Sequence, residues 1–218
     1  MRLVELFQSG GVVMWPLLGF SLLATTLIFE RGWFWLQIYQ AQDAFIQQVL
    51  GLYSKQPQGA IDSLRQHTQF PIARIFLAAL TLEQGTPEDF RLALESAAQS
   101  EIPLLKRFNT VFETIIGVAP LLGLLGTILG LMKSFSSLRI GESVGTESAG
   151  AVTAGIGTAL ISTAAGLLVA IATLLFANLF LGLYRRQRAA IEAYTGRLEL
   201  LYRQYYRQYL TRQRPSHR

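Results

Sequence analysis

Residues Ser148 to Tyr184 read SAGAVTAGIGTALISTAAGLLVAIATLLFANLFLGLY, thirty-seven positions without one charged side chain. Gly155, Gly157, Thr158, Ser162, Thr163, Gly166, Thr173 and Asn178 interrupt the aliphatic residues. A helix that only had to dissolve in lipid would be branched and aliphatic throughout. Small and hydroxyl residues at helical intervals serve close backbone packing, a water-lined path, or both. At about 1.5 Å per residue the run would be about 55 Å long as one helix, against a hydrocarbon core of about 30 Å. One end therefore projects from the bilayer or begins as loop, and the glycine-rich 148–157 segment is the expected loop.

Two more spans lie upstream. Leu6 to Phe29 carries no charge and is closed by Glu30 and Arg31, with Trp33 and Trp35 following at headgroup level. A secretory signal fits this segment less well: the run is long, only Arg2 precedes it, and no small-x-small cleavage pattern follows. Thr114 to Met132, TIIGVAPLLGLLGTILGLM, ends at Lys133. A mean hydropathy of +0.34 and 15% charged residues agree with a membrane chain, since a soluble domain averages roughly 25% charged. Of the 218 residues, three spans leave about 140 outside the bilayer, enough for one modest helical region.

Charge sets the orientation. The segment Arg31 to Arg107 holds seven Lys and Arg, and the tail after Tyr184 holds nine, all Arg. The 133–148 connection has Lys133 and Arg139, offset by Glu142 and Glu147. The positive-inside rule places the long middle segment and the tail in the cytoplasm. The expected division is a periplasmic N-terminus (1–10), spans at 11–30, 113–133 and 153–183, a cytoplasmic helical region (31–112), a periplasmic connection (134–152) and a cytoplasmic C-terminal helix (184–218). The fold class is an all-α membrane protein, three transmembrane helices with long cytoplasmic helical extensions. The +5 net charge follows this topology, and no nucleic-acid role is assigned to it. The arginines flanking the last span suit lipid phosphates.

The cytoplasmic parts read as helices. Ile72, Ile75, Phe76, Ala79 and Leu80 make one apolar stripe, with Gly85 as the expected stop. Thr86-Pro87-Glu88-Asp89 then supplies an N-cap, a proline at the first helical position and acid in the first turn. If that helix passes Pro103 unbroken, the second span and its stalk are one rod. In the tail, Ile191, Tyr194, Leu198, Leu201 and Tyr205 repeat at 3, 4, 3, 4, a stripe for packing against the stalk or a neighbouring subunit.

Inside the spans, Gly123, Gly126 and Gly130 clear one face of the second helix, with Thr127 beside them. Ala159, Thr163, Gly166, Ala170 and Thr173 recur at 4, 3, 4, 3 on the third. Two readings fit: ordinary helix packing with each hydroxyl bonded to its own helix, or a shared lining. Pro120 frees the carbonyl of Ile116 within the second span. No carboxylate, lysine or histidine lies deep in a span, and Glu113 at the edge of the second comes nearest. A proton relay needs a titratable group at depth, so another chain would have to bring it. The chain has no cysteine, and His67 and His217 have no ligand spacing, so no metal or cofactor is expected. No cluster of titratable residues suggests an enzyme.

VAPLLGLLGTILGLMKSF (Val118 to Phe135) followed by GIGTALISTAAGLLVAIATLLFANLF (Gly155 to Phe180) resembles the MotA/TolQ/ExbB proton-channel family, its ExbB/TolQ branch. The resemblance implies a homo-oligomeric ring, a pentamer, in the bacterial inner membrane around a small ExbD- or TolR-like partner. That partner's membrane aspartate carries the proton, and ion flow drives mechanical work on a TonB- or TolA-like protein. The family's pore threonines fall on Thr127 and Thr163. The resemblance departs at Gly155-Ile156-Gly157-Thr158-Ala159-Leu160, where the family commonly has G-I-x-E-A-L, so Thr158 replaces an acid. Thr127, Thr158, Ser162 and Thr163 are therefore expected to line the ion path with hydroxyls. Pro120, Gly123, Gly126, Gly130, Ala159, Gly166 and Ala170 are expected to pack the helices around it. A non-conducting oligomeric scaffold is the alternative.

Overall fold

The computed structural model describes residues 7–82, 85–138 and 146–213, and these contain no strand. Among the described residues, six helices of ten residues or more follow in order: α1 (Met14–Tyr53), α2 (Pro57–Gln66), α3 (Pro71–Leu80), α4 (Pro87–Leu105), α5 (Asn109–Leu138) and α6 (Thr146–Gln213). Three stretches, Met14–Tyr53, Pro87–Ser136 and Gly155–Thr211, are long and apolar enough to cross a membrane. The protein is thus all-helical with three candidate spans. It divides into two compact units, one of Met1–Arg31 with Phe108–Phe180 and one of Gly32–Arg107 with Leu181–Arg218.

In the first unit the start of α1 packs onto α5 and α6. Val13, Leu17, Ala119 and Ala170 are its buried core, with Met14, Leu122, Ala165 and Val169 packed around them. Gly11 takes a φ of 75°, a left-handed turn that admits glycine freely, and α1 begins three residues later. Large aliphatic side chains such as Leu22, Leu168 and Leu175 point outward. Such a surface would be a liability in water and is ordinary in hydrocarbon.

The second unit holds α2, α3 and α4 with the later parts of α1 and α6. Here α4 opens with a capping box: the Thr86 side chain accepts from the Asp89 backbone N–H, and Asp89 accepts from that of Thr86. The Thr86 hydroxyl, donating to the same carboxylate, and then the Thr86 backbone N–H hold the exposed Asp89 carboxyl below its ordinary value. On α3, Ile72, Ile75, Phe76 and Ala79 are all buried, as their spacing implies. Arg74 grips the buried Glu101 of α4 with two nitrogens and the Thr68 carbonyl with a third. In the tail, Ile191 and Leu198 are buried, Tyr194 donates to Asp43 of α1, and Tyr202 stacks on Phe90 and donates to the Gly85 carbonyl. A buried amide pair, Gln42 and Gln187, exchanges two hydrogen bonds of 3.1 and 2.9 Å. Tyr205, the last member of the stripe, is exposed.

Three expectations are corrected. The 148–157 segment is not a loop: α6 is helical from Thr146. Gly155 serves contact there, for a Cβ on it would stand 2.9 Å from the Gly130 carbonyl oxygen, whereas one on Gly157 meets nothing within 4 Å. Gly85 does not stop α3, which ends at Leu80 with Thr81 as C-cap. The condition for one continuous helix is not met: α4 ends at Leu105 and α5 begins at Asn109. Phe108 lies there at φ 68°, a conformation costing about 1–2 kcal/mol for a residue with a side chain. The buried Arg31 guanidinium sits 5.3 Å from the Phe108 ring centroid. Residues 139–145 of the expected connection, and Pro215 onward, lie outside the described residues.

Candidate ion path along α5 and α6

The two small-residue faces meet each other. A Cβ on Gly123 would stand 3.0 Å from the Ser162 carbonyl oxygen and from the Thr163 Cα. One on Gly130 would meet the Gly155 carbonyl at 2.8 Å, and one on Gly166 the Ala119 carbonyl at 2.5 Å and the Gly123 Cα at 3.1 Å. Numbers fall on one helix as they rise on the other, so α5 and α6 run antiparallel with backbones in contact. Gly123, Gly126, Gly130, Ala159, Ser162, Gly166 and Ala170 are all buried. Their helical repeat is therefore used within one chain. Ser134, buried and donating to the Gly130 carbonyl, belongs to the same seam. Its place in the i+4 row after Gly130 was the available signal.

The hydroxyls divide by location. Ser162 is fully buried in the seam and donates to the Ala159 carbonyl at 2.9 Å and, more weakly, to the Gly123 carbonyl at 3.4 Å. Thr163 crosses the seam to the same Gly123 carbonyl at 3.2 Å. Thr127 donates to Leu124 of its own helix at 2.6 Å. Thr163, Thr127, Thr158 and Pro120 are each half-buried. Packing alone thus satisfies Ser162, and the half-buried threonines border the seam.

Which border each occupies follows from α1. The start of α1 approaches Gly126 through Val13, and Thr158 and Ile161 through Gly11 and Gly10. It also packs beside Leu122, Ala165 and Val169. At about 100° per residue, Thr158 and Leu122 lie on the α1 side of the seam, and Thr127, Thr163 and Pro120 lie on the other. Thr127 and Thr163 lie within about one helical turn of each other along that border, because Gly123, four residues before Thr127, is the residue Thr163 bonds. The four expected hydroxyls do not converge: one pair shares the open edge, Ser162 is enclosed, and Thr158 faces α1.

The α5 sequence has one acid, Glu113, and one base, Lys133. Glu113 is exposed and accepts from the Asn109 amide at 2.7 Å. No grouping of three His, Asp or Glu suited to a metal occurs among the described residues.

This pairing of an A-P-L-L-G-L-L-G-T helix with a T-A-A-G-L helix has counterparts. Residues 67–193 match the MotA/TolQ/ExbB proton channel family. The chain belongs to that family. It is 60% identical to the biopolymer transport protein ExbB-like 3 of Synechocystis sp. over 92% of this chain and 95% of that protein. Another ExbB-like protein of the same organism, ExbB-like 1, is 42% identical over 93% of this chain and 80% of that protein. The biopolymer transport protein exbB1 of Vibrio cholerae is 30% identical over 81% and 78%. An ExbB-like inner-membrane protein of a channel and transport family is the identity these matches support.

Proposed function

We propose that this chain is the ion-conducting subunit of an ExbB–ExbD-like or TolQ–TolR-like inner-membrane motor. Several copies, a pentamer by analogy, surround the span of a small partner that supplies the membrane aspartate. Proton flow past that aspartate is converted into work on a TonB- or TolA-like protein serving outer-membrane transport or envelope maintenance. The N-terminus lies in the periplasm and the C-terminal helix in the cytoplasm, where the arginines meet lipid phosphates.

One observation carries this reading. Thr127 and Thr163 stand within about one helical turn of each other on the edge of the α5–α6 seam that α1 leaves open. A hydroxyl pair there offers oxygens to water or a partly hydrated ion. The chain itself contributes no deep charge, which fits a carrier on the partner.

Replacing Thr163 by valine keeps its shape and removes the bond to Gly123. Interhelical hydrogen bonds in membranes contribute about 0.6 kcal/mol on average, so the ring should still assemble. Proton flux through vesicles holding the chain with its partner should be lost. Normal flux in this variant takes Thr163 off the path, and brisk flux through the chain alone removes the need for a partner's acid. A complex that conducts nothing under any gradient would favour the scaffold alternative.

A further inference from the structure

Two polar side chains on the open edge have no role so far. Glu113 is exposed on α5, at the edge of the second span, where a carboxylate would be costly if it faced lipid tails. Asn178 is exposed on α6, within the uncharged run. Fourteen residues separate Glu113 from Thr127, and fifteen separate Thr163 from Asn178. At about 3.6 residues per turn both intervals are close to four turns. Each residue therefore returns to within about 60° of the threonine on its own helix. Both lie on the side away from α1.

They are also level with each other. Phe112, one residue before Glu113, is buried in the seam, and its ring lies 5.9 Å from that of Phe180, two residues after Asn178. The α5–α6 edge thus bears two polar levels separated by about 21 Å at 1.5 Å per residue. Between them lie Leu124, Leu167 and Leu174, all exposed and apolar, and Pro120, seven residues from Glu113 and seven from Thr127. The Asn109 amide holds one oxygen of Glu113 and leaves the other available.

We propose that Glu113 and Asn178 form a second cation-contacting station at the cytoplasmic mouth of the path. The carboxylate supplies charge to a hydrated proton or monovalent cation, and the asparagine amide supplies a carbonyl oxygen. This inference rests on the reading of the open edge as path-facing.

The test uses the complete complex of chain and partner in liposomes, with proton flux and sodium flux measured separately. Glu113→Gln should lower proton flux at least tenfold with the complex intact by size, and Glu113→Asp should recover most of it. Asn178→Asp, which adds a second carboxylate at that level, should raise cation flux, and Asn178→Leu should lower it. If Thr163→Val abolishes flux while the Glu113 and Asn178 variants conduct normally, this station does not exist and the proposed function stands. If Thr163→Val and Glu113→Gln are both harmless, the path-facing assignment itself fails. If Glu113→Gln disperses the complex and Asn178→Asp leaves flux unchanged, Glu113 is a subunit contact and the inference is overturned.

Discussion

Replacing Gly166 by alanine should loosen the membrane unit. The new methyl carbon would stand 2.5 Å from the Ala119 carbonyl oxygen, 3.1 Å from the Gly123 Cα and 3.2 Å from the Gly123 nitrogen. All three are backbone atoms, so no side-chain rotation relieves the contact. Relief requires α5 and α6 to separate by roughly 1 Å over several turns, and overpacking of this kind costs about 1–3 kcal/mol. Separation also stretches the bond from Thr163 to Gly123, already 3.2 Å. Alanine at an unobstructed glycine gives the baseline: a Cβ on Gly117 meets nothing within 4 Å. There the exchange gains up to about 1 kcal/mol of helix propensity. The assay is thermal unfolding of the purified protein in detergent, with wild type, Gly117→Ala and Gly166→Ala compared under one condition. Gly166→Ala should unfold at lower temperature than wild type, and Gly117→Ala no lower. If Gly166→Ala matches Gly117→Ala, the α5–α6 backbones do not touch at Gly166, and the assignment of the small residues to an intrachain seam is wrong.

Two further outcomes concern the second unit. Gln42→Leu alone strands the buried amide of Gln187 and should cost about 1–3 kcal/mol, whereas Gln42→Leu with Gln187→Leu should recover most of it; equal losses in single and double variants on chemical unfolding would count against the reciprocal pair. Burial, aided by neighbouring Tyr202 and Tyr205, pushes the Tyr53 phenol up to about 12. A phenol raised from 10 in the folded unit contributes stability that is complete below pH 10 and lost as pH climbs to about 12. Alkaline unfolding should therefore steepen across that window and flatten in Tyr53→Phe, and tyrosinate absorbance should develop later in wild type than in the unfolded chain.

Much of the fold is legible because it depends on local chemistry. Uncharged runs bounded by Glu30–Arg31, Lys133 and Arg185 delimit the spans, and the Thr86-Pro87-Glu88-Asp89 start is written in four consecutive residues. What sequence leaves open depends on a second helix. Gly155 and Gly157 look like loop residues until the backbone of α5 lies against Gly155. The break before α5 follows Pro103 at a distance and uses a phenylalanine at positive φ, a conformation no local rule assigns to that residue. The small-residue stripes present the same difficulty at the candidate site. A seam inside one chain and a lining shared among chains require identical i, i+3, i+4 spacing, so periodicity cannot choose between them. Only the position of α1 divides the threonines into those it covers and those it leaves open.

That division bears on the missing family glutamate. Thr158 occupies its place, on the α1 side of the seam, with its methyl 3.3 Å from where a Cβ on Gly11 would stand. A carboxylate at that position would be half-buried against the turn that starts α1, away from the Thr127–Thr163 edge. Keeping it ionised there would need a compensating donor or cation. Threonine removes the need for one and fills the contact with a methyl group. The exchange therefore relieves an electrostatic demand at the α1 contact and leaves the open edge as it was. From Asn109 to Leu138 and from Ser148 to Tyr184 the one remaining acid is Glu113, which lies on that open edge. Within those two stretches, any negative charge the chain lends to a passing ion comes from Glu113.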